Sequence, residues 1–167
     1  MDSLISFGVA FTIAFQSLGG WLEAPMKFFS FLGTVEFYLI ILPLVYWCID
    51  SALGLKIGVM FLASSGLNGL FKIAMHGPRP YWVSTNVQGM ASETSFGVPS
   101  GHSQTAAGVW GITAAGLKRT WASVAAVTVV VLIGLSRIYL GVHFLHDVLL
   151  GWFLGGLTLW AFIKFWD

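Results

Sequence analysis

Charge is what this sequence has least of. Only 9% of its 167 residues are Asp, Glu, Lys or Arg, while 57% are hydrophobic. A water-soluble domain carries roughly 25% charged residues, so a soluble globular class is excluded, and the mean hydropathy of +0.84 agrees. A net charge of +1 leaves no electrostatic basis for binding nucleic acid. Cysteine is limited to Cys48, which excludes an intrachain disulfide and, within an apolar run, predicts a buried small hydrophobe. The N-terminus is expected to be a retained segment rather than a secretory signal: Asp2 stands where a basic region belongs, and no clear cleavage site follows. No ten-residue segments of alternating hydrophobicity occur, which excludes a membrane β-barrel.

What remains is a set of long apolar runs. A bilayer span needs about 20 mostly apolar residues. Leu4–Leu18, Glu36–Ile49, Leu53–Met75, Ser103–Leu117, Trp121–Leu140 and Leu145–Phe165 predict about six transmembrane helices in a single all-α domain over 1–167, complete or the core of a longer chain. Trp21–Leu32 mixes Glu23 and Lys27 with aromatics, as an interfacial helix does. His76–Ser100, rich in proline, glycine and polar residues, is the one long loop. Alternate crossing puts that loop and the 136–143 connection on one side, and both termini on the other with Lys56, Lys118, Arg119 and Lys164. With Lys72, Arg79 and Arg137 reserved for a site, the positive-inside bias places the termini in the cytoplasm and the polar face outside.

Three clusters fall on that outer face. In KIAMHGPRP, Lys72 ends a run and Arg79 follows between two prolines, which restrict its backbone and so preserve the pre-organisation of its planar fork. In PSGH, Ser100 can cap the next helix and Gly101 permits close approach to its first amides. Such a helix start is an anion site, and His102 puts a titratable group beside it. In SRIYLGVHFLHD, Arg137 closes one run, and His143 and Asp147 are spaced to share a helical face. An aspartate accepting from one imidazole nitrogen leaves the other free as a nucleophile. Three cations at one point repel unless an anion neutralises them, and a phosphoryl group fits that need.

Together, Lys72…Arg79-Pro80, Pro99-Ser100-Gly101-His102 and Ser136-Arg137…His143…Asp147 resemble the three signatures of the type 2 phosphatidic acid phosphatase (PAP2) superfamily of integral-membrane lipid phosphatases. The resemblance spans residues 72–147 and implies a PAP2/haloperoxidase-like helical core. It implies that His143 attacks phosphorus to form a phosphohistidine, that Asp147 orients it, and that His102 protonates the leaving group. Lys72, Arg79, Arg137, Ser100 and the Gly101 amide would hold the phosphoryl oxygens. No metal or other cofactor is implied, because fixed cations take that role. The implied partners are the bilayer and a lipid phosphate or pyrophosphate: polyprenyl diphosphate, phosphatidate, phosphatidylglycerol phosphate or sphingoid phosphate. The implied location is a bacterial inner or plasma membrane. PSGHSQ, with Gln104, looks more like the polyprenyl-diphosphate and sphingoid-phosphate branches.

A phosphotransferase would use the same residues. A transporter with an anion pathway is disfavoured, because no internal repeat appears and the clusters sit at span ends. A metal site of His102, His143, His146 and Asp147 would leave the three cations unexplained. Glu93 is expected to be a solvated loop charge, His146 a bystander and His76 a headgroup-level histidine. Tyr81 and Trp82 are expected as interfacial anchors, and the Ser64–Gly69 patch as close helix packing.

Overall fold

The computed structural model describes residues 2–166; Met1 and Asp167, the ends of the expected domain, lie outside the described residues. All regular secondary structure among the described residues is helical, with no strand. Its helices are α1 (Asp2–Gln16), α2 (Glu23–Phe31), α3 (Val35–Cys48), α4 (Ser51–Met75), α5 (Pro80–Val83), α6 (Gly101–Leu117), α7 (Thr120–Tyr139) and α8 (Leu145–Trp166).

Local chemistry sets the boundaries. Thr34 caps α3 by accepting from the Phe37 amide at 3.2 Å. Asp50 ends the α3–α4 turn by accepting from Ala52 and Leu53 amides at 2.9 and 3.0 Å. His76 closes α4 in the left-handed region (φ 48°). Pro80 opens α5, where its missing N–H costs nothing. α1 and the segment carrying α2 meet at an 89° bend, so α2 runs across the direction of α1, as an interfacial helix would.

α6 is the central element, packed against α4, α7 and α8. Its contact with α8 is close because a Cβ at Gly151 would lie 2.7 Å from the Ser100 carbonyl oxygen, and one at Gly155 would collide with that of Gln104. An apolar cluster of Tyr38, Ile57, Met60, Phe61, Val109 and Ile112 joins α3, α4 and α6. The exterior is equally apolar: Ile40 and Leu62 are 63% and 68% exposed, whereas Arg79, Gln104 and Asp147 are fully buried. Apolar outside and polar inside is the distribution of a protein whose solvent is lipid.

The span count is less regular than the hydropathy runs predict. Three segments are long and apolar enough to cross a membrane: Ser51–Val83, Thr120–Tyr139 and Leu145–Trp166, with a fourth if the bent α1–α2 pair is one span. α3 and α6 have 14 and 17 residues, lengths of about 21 and 25 Å against a hydrocarbon core of about 30 Å. Cys48, expected to be buried, is exposed at the C-terminal end of α3.

Candidate active site

The end of the bundle where α4 and α7 finish and α6 and α8 begin gathers every residue singled out in the three clusters. His143 lies in the turn before α8 rather than on the helix, but still meets Asp147: Nδ1 donates to Oδ2 at 3.3 Å. The same oxygen accepts from the Phe144 amide at 2.9 Å, which fixes the carboxylate in the first turn of α8. With the proton held on Nδ1, the Nε2 lone pair is available, and it faces Arg79 Nη1 at 3.3 Å. Burial pushes the His143 imidazole down to about 4, against the Asp147 carboxylate, which favours the cation. The imidazole is thus held neutral.

The turn itself depends on Gly141, at φ 73°, where a Cβ would collide with the Gln88 carbonyl oxygen. Gln16 at the end of α1 ties this turn to the long loop. Its Nε2 donates to the carbonyls of Tyr139 and Gln88 at 2.9 and 2.8 Å, and its Oε1 accepts from the Gln88 amide at 3.1 Å.

Arg79 is fully buried. Its Nε donates to the Ser95 carbonyl at 2.8 Å, Nη1 to the Val142 carbonyl at 2.9 Å, and Nη2 to Ser95 Oγ and the Phe96 carbonyl at 3.3 and 3.2 Å. Lys72 donates to Ser95 Oγ at 3.1 Å and to the Phe96 carbonyl. Arg137 donates from Nη1 to Ser30 Oγ at 2.5 Å and from Nη2 to Glu93, while its buried Nε has no protein partner.

Ser100 caps α6 as expected, accepting from the Ser103 amide at 3.4 Å and hydroxyl at 2.9 Å. Its own amide donates to the Asp147 carbonyl at 3.0 Å, which locks α6 to α8 at the site. Gly101 and His102 line a cavity of about 210 Å³ together with Lys72, Asn68, Ser95 and His143. A second cavity of about 490 Å³ opens on the other flank, lined by Lys27, Ser30, Met90 and Arg137. His102, Glu93 and Val35 line both.

Several residues have roles that their local sequence does not announce. Glu93, expected in solvent, pairs with Arg137 and lies 3.7 Å from Arg79. The Tyr81 hydroxyl, expected at an interface, donates to the Glu93 carbonyl at 3.2 Å. Trp82 lies 6.0 Å from the Arg79 guanidinium carbon, in cation–π range. His146 is more than a neighbour in sequence, with Nε2 3.1 Å from Asp147 Oδ1. Gln104 does not face the cavities: it accepts from Asn68 Nδ2 at 2.9 Å and donates to the Ser64 carbonyl at 3.3 Å, holding α6 to α4.

The sequence profile of the PAP2 superfamily matches residues 53–167, which include all three clusters. The chain belongs to the PAP2 superfamily. Phosphatidylglycerophosphatase B of Bacillus subtilis (strain 168) is 31% identical over 160 residues, covering 88% of this chain and 76% of that protein. Glucose-6-phosphatase 3 of Homo sapiens is 30% identical over 185 residues, covering 96% of this chain but 53% of its own length; the chain therefore spans about half of such relatives. The crystal structure of the first transmembrane PAP2-type phosphatidylglycerolphosphate phosphatase from Bacillus subtilis superposes with a TM-score of 0.85. It is 29% identical, with 99% of this chain and 87% of that one covered. A PAP2 core accounts for the way α4, α6, α7 and α8 converge on one end.

Proposed function

We propose that this chain is a membrane lipid phosphatase that hydrolyses a lipid phosphate or pyrophosphate through a phosphohistidine, without a metal. The observation that carries this reading is the relay from Asp147 through His143 Nδ1 to a buried, neutral Nε2 beside Arg79. In the first step Nε2 forms a bond to phosphorus while the ester P–O bond breaks, and the leaving oxygen takes a proton from His102. In the second, water attacks phosphorus, His102 accepts its proton and the N–P bond breaks. Lys72, Arg79, Arg137 and the first amides of α6 stabilise the charge spread over the equatorial oxygens.

A lipid substrate suits a polar site at the mouth of helices whose outer faces are apolar. The names of the relatives give further support: one acts on a phosphatidylglycerol phosphate. In the same proposal the single domain crosses a bacterial plasma membrane six times, through α1, α3, α4, α6, α7 and α8. Its termini are cytoplasmic and its site faces outward, following the charges Lys56, Lys118, Arg119 and Lys164.

The test is phosphate release in detergent from a panel of lipid phosphates and diphosphates, with glucose 6-phosphate as a water-soluble comparison, for wild type and His143→Ala. Loss of at least about a thousandfold in the variant is expected; near-normal turnover would remove the phosphohistidine. Product analysis with added alcohols separates hydrolysis from phosphoryl transfer to another acceptor.

A further inference from the structure

One short stretch of the long loop occupies the cations that a phosphoryl group would need. Glu93 pairs with Arg137 and approaches Arg79, Ser95 takes N–H donors from Lys72 and Arg79, and the Phe96 carbonyl takes donors from the same two residues. Every N–H of Arg79 already has an acceptor, one of them the nucleophilic nitrogen of His143. Glu93 also lines both cavities, so it stands where the acid His102, the nucleophile and the arginines converge. Its side chain keeps 24% of its surface exposed, leaving a route out to solvent.

Charge gives this arrangement a consequence. Lys72, Arg79 and Arg137 face two carboxylates, Glu93 and Asp147, leaving one net positive charge at the site. With Glu93 withdrawn, two remain. A phosphate monoester carries about −1.5 to −2 at pH 7, whereas a phosphodiester headgroup carries −1. A diester that displaced Glu93 would exchange one single charge for another and leave the carboxylate no closer to a partner. Only a dianion neutralises what Glu93 exposes. A protein embedded among phosphodiester lipids needs such a discrimination, because those headgroups vastly outnumber any monoester substrate.

We propose that Glu93 is a specificity-determining residue: its carboxylate occupies the Arg79–Arg137 pair in the resting protein, yields to dianionic phosphoryl groups and excludes monoanionic phosphodiesters. This rests on the phosphatase reading above. The test compares wild type with Glu93→Gln, an uncharged near-isostere, in mixed micelles containing phosphatidylmethanol, a monoanionic phosphodiester. Half-inhibition of phosphate release by phosphatidylmethanol is expected at a concentration lower by about tenfold or more in Glu93→Gln, while inhibition by inorganic phosphate changes less. Glu93→Asp, which keeps the charge, is expected to retain most of the exclusion.

Unchanged or weaker inhibition by phosphatidylmethanol in Glu93→Gln would overturn the proposal. If turnover is too slow to measure, the same contrast is read as thermal stabilisation by phosphatidylmethanol and by inorganic phosphate. The proteins compared are then His143→Ala and His143→Ala with Glu93→Gln, and equal stabilisation of both by the diester is again a refutation. A wild type that releases no phosphate from any monoester would refute the phosphatase reading by itself; the binding arm would still decide the role of Glu93.

Discussion

Arg79 Nη1 sits 3.3 Å from His143 Nε2, so the guanidinium covers the lone pair that attacks phosphorus in the proposed mechanism. In that mechanism the resting nitrogen is shielded, and Arg79 would redirect the N–H to a phosphoryl oxygen. Because burial rather than a charged partner dominates the environment of His143, its proton affinity gives the first measurable consequence.

Below its ordinary value of 6.5, the His143 imidazole stays neutral in the folded protein down to about pH 4. The unfolded chain binds a proton at this residue between those limits and the folded chain does not. Stability is thus fully present above pH 6.5 and falls as pH falls toward 4. Melting in detergent from pH 7 to pH 5 is expected to lower the midpoint of wild type more than that of His143→Gln. A larger drop for the variant would contradict the buried neutral state.

Asp147→Asn removes the acceptor for Nδ1 while preserving shape. The amide can favour the wrong tautomer, so kcat is expected to fall by about a thousandfold or more with a smaller change in KM. Steady-state kinetics on a lipid phosphate measures both; a variant with wild-type kcat would show that Asp147 does not set the tautomer.

For His102→Ala the expected loss depends on the leaving group. A substrate with an acidic leaving group needs little protonation, so a nitrophenyl phosphate should lose far less rate than an alkyl phosphate. Equal losses on the two would take His102 out of the acid role.

Ser30 tests the support of Arg137. Its buried hydroxyl accepts from Nη1 at 2.5 Å, and Ser30→Ala would leave a buried cationic donor unmet, a cost of about 1–3 kcal/mol. We expect kcat/KM to fall by roughly tenfold, and Ser30→Thr to recover most of it. Full activity in Ser30→Ala would show that Arg137 is placed by Glu93 alone.

At Gly155 the prediction concerns stability. A Cβ there collides with the Gln104 carbonyl oxygen and lies 2.8 Å from Ala107 Cβ. Gly155→Val should push α8 away from α6 and cost about 1–3 kcal/mol, read as a lower melting midpoint in detergent. A midpoint equal to that of wild type would mean that the interface gives way freely.

The cluster residues were legible because each combines a titratable side chain with a structural break: Arg79 between prolines, His102 after a cap, His143 before a helix. Helix positions were legible for the same reason, since apolar runs end where caps and glycines stand. Glu93 was not, because nothing local distinguishes a loop carboxylate in water from one facing two arginines. Its partners lie 14 and 44 positions away, and only the folded loop brings them together. Ser30 was hidden likewise, 107 residues from Arg137. Helix length was less legible than helix position: capping by Thr34 and Asp50 confines α3 to 14 residues, shorter than the hydropathy run alone requires of a span.

The Asn68–Gln104 hydrogen bond has a bearing on how the chain enters its membrane. An α6 placed alone in lipid would carry an amide, three hydroxyls and a histidine with nothing but hydrocarbon around them. α4, made earlier, presents Asn68 and the Ser64 carbonyl at the heights that Gln104 reaches. Biogenesis would then be a matter of escort: an α6 that leaves the aqueous route against α4 has its polar seam closed before lipid reaches it.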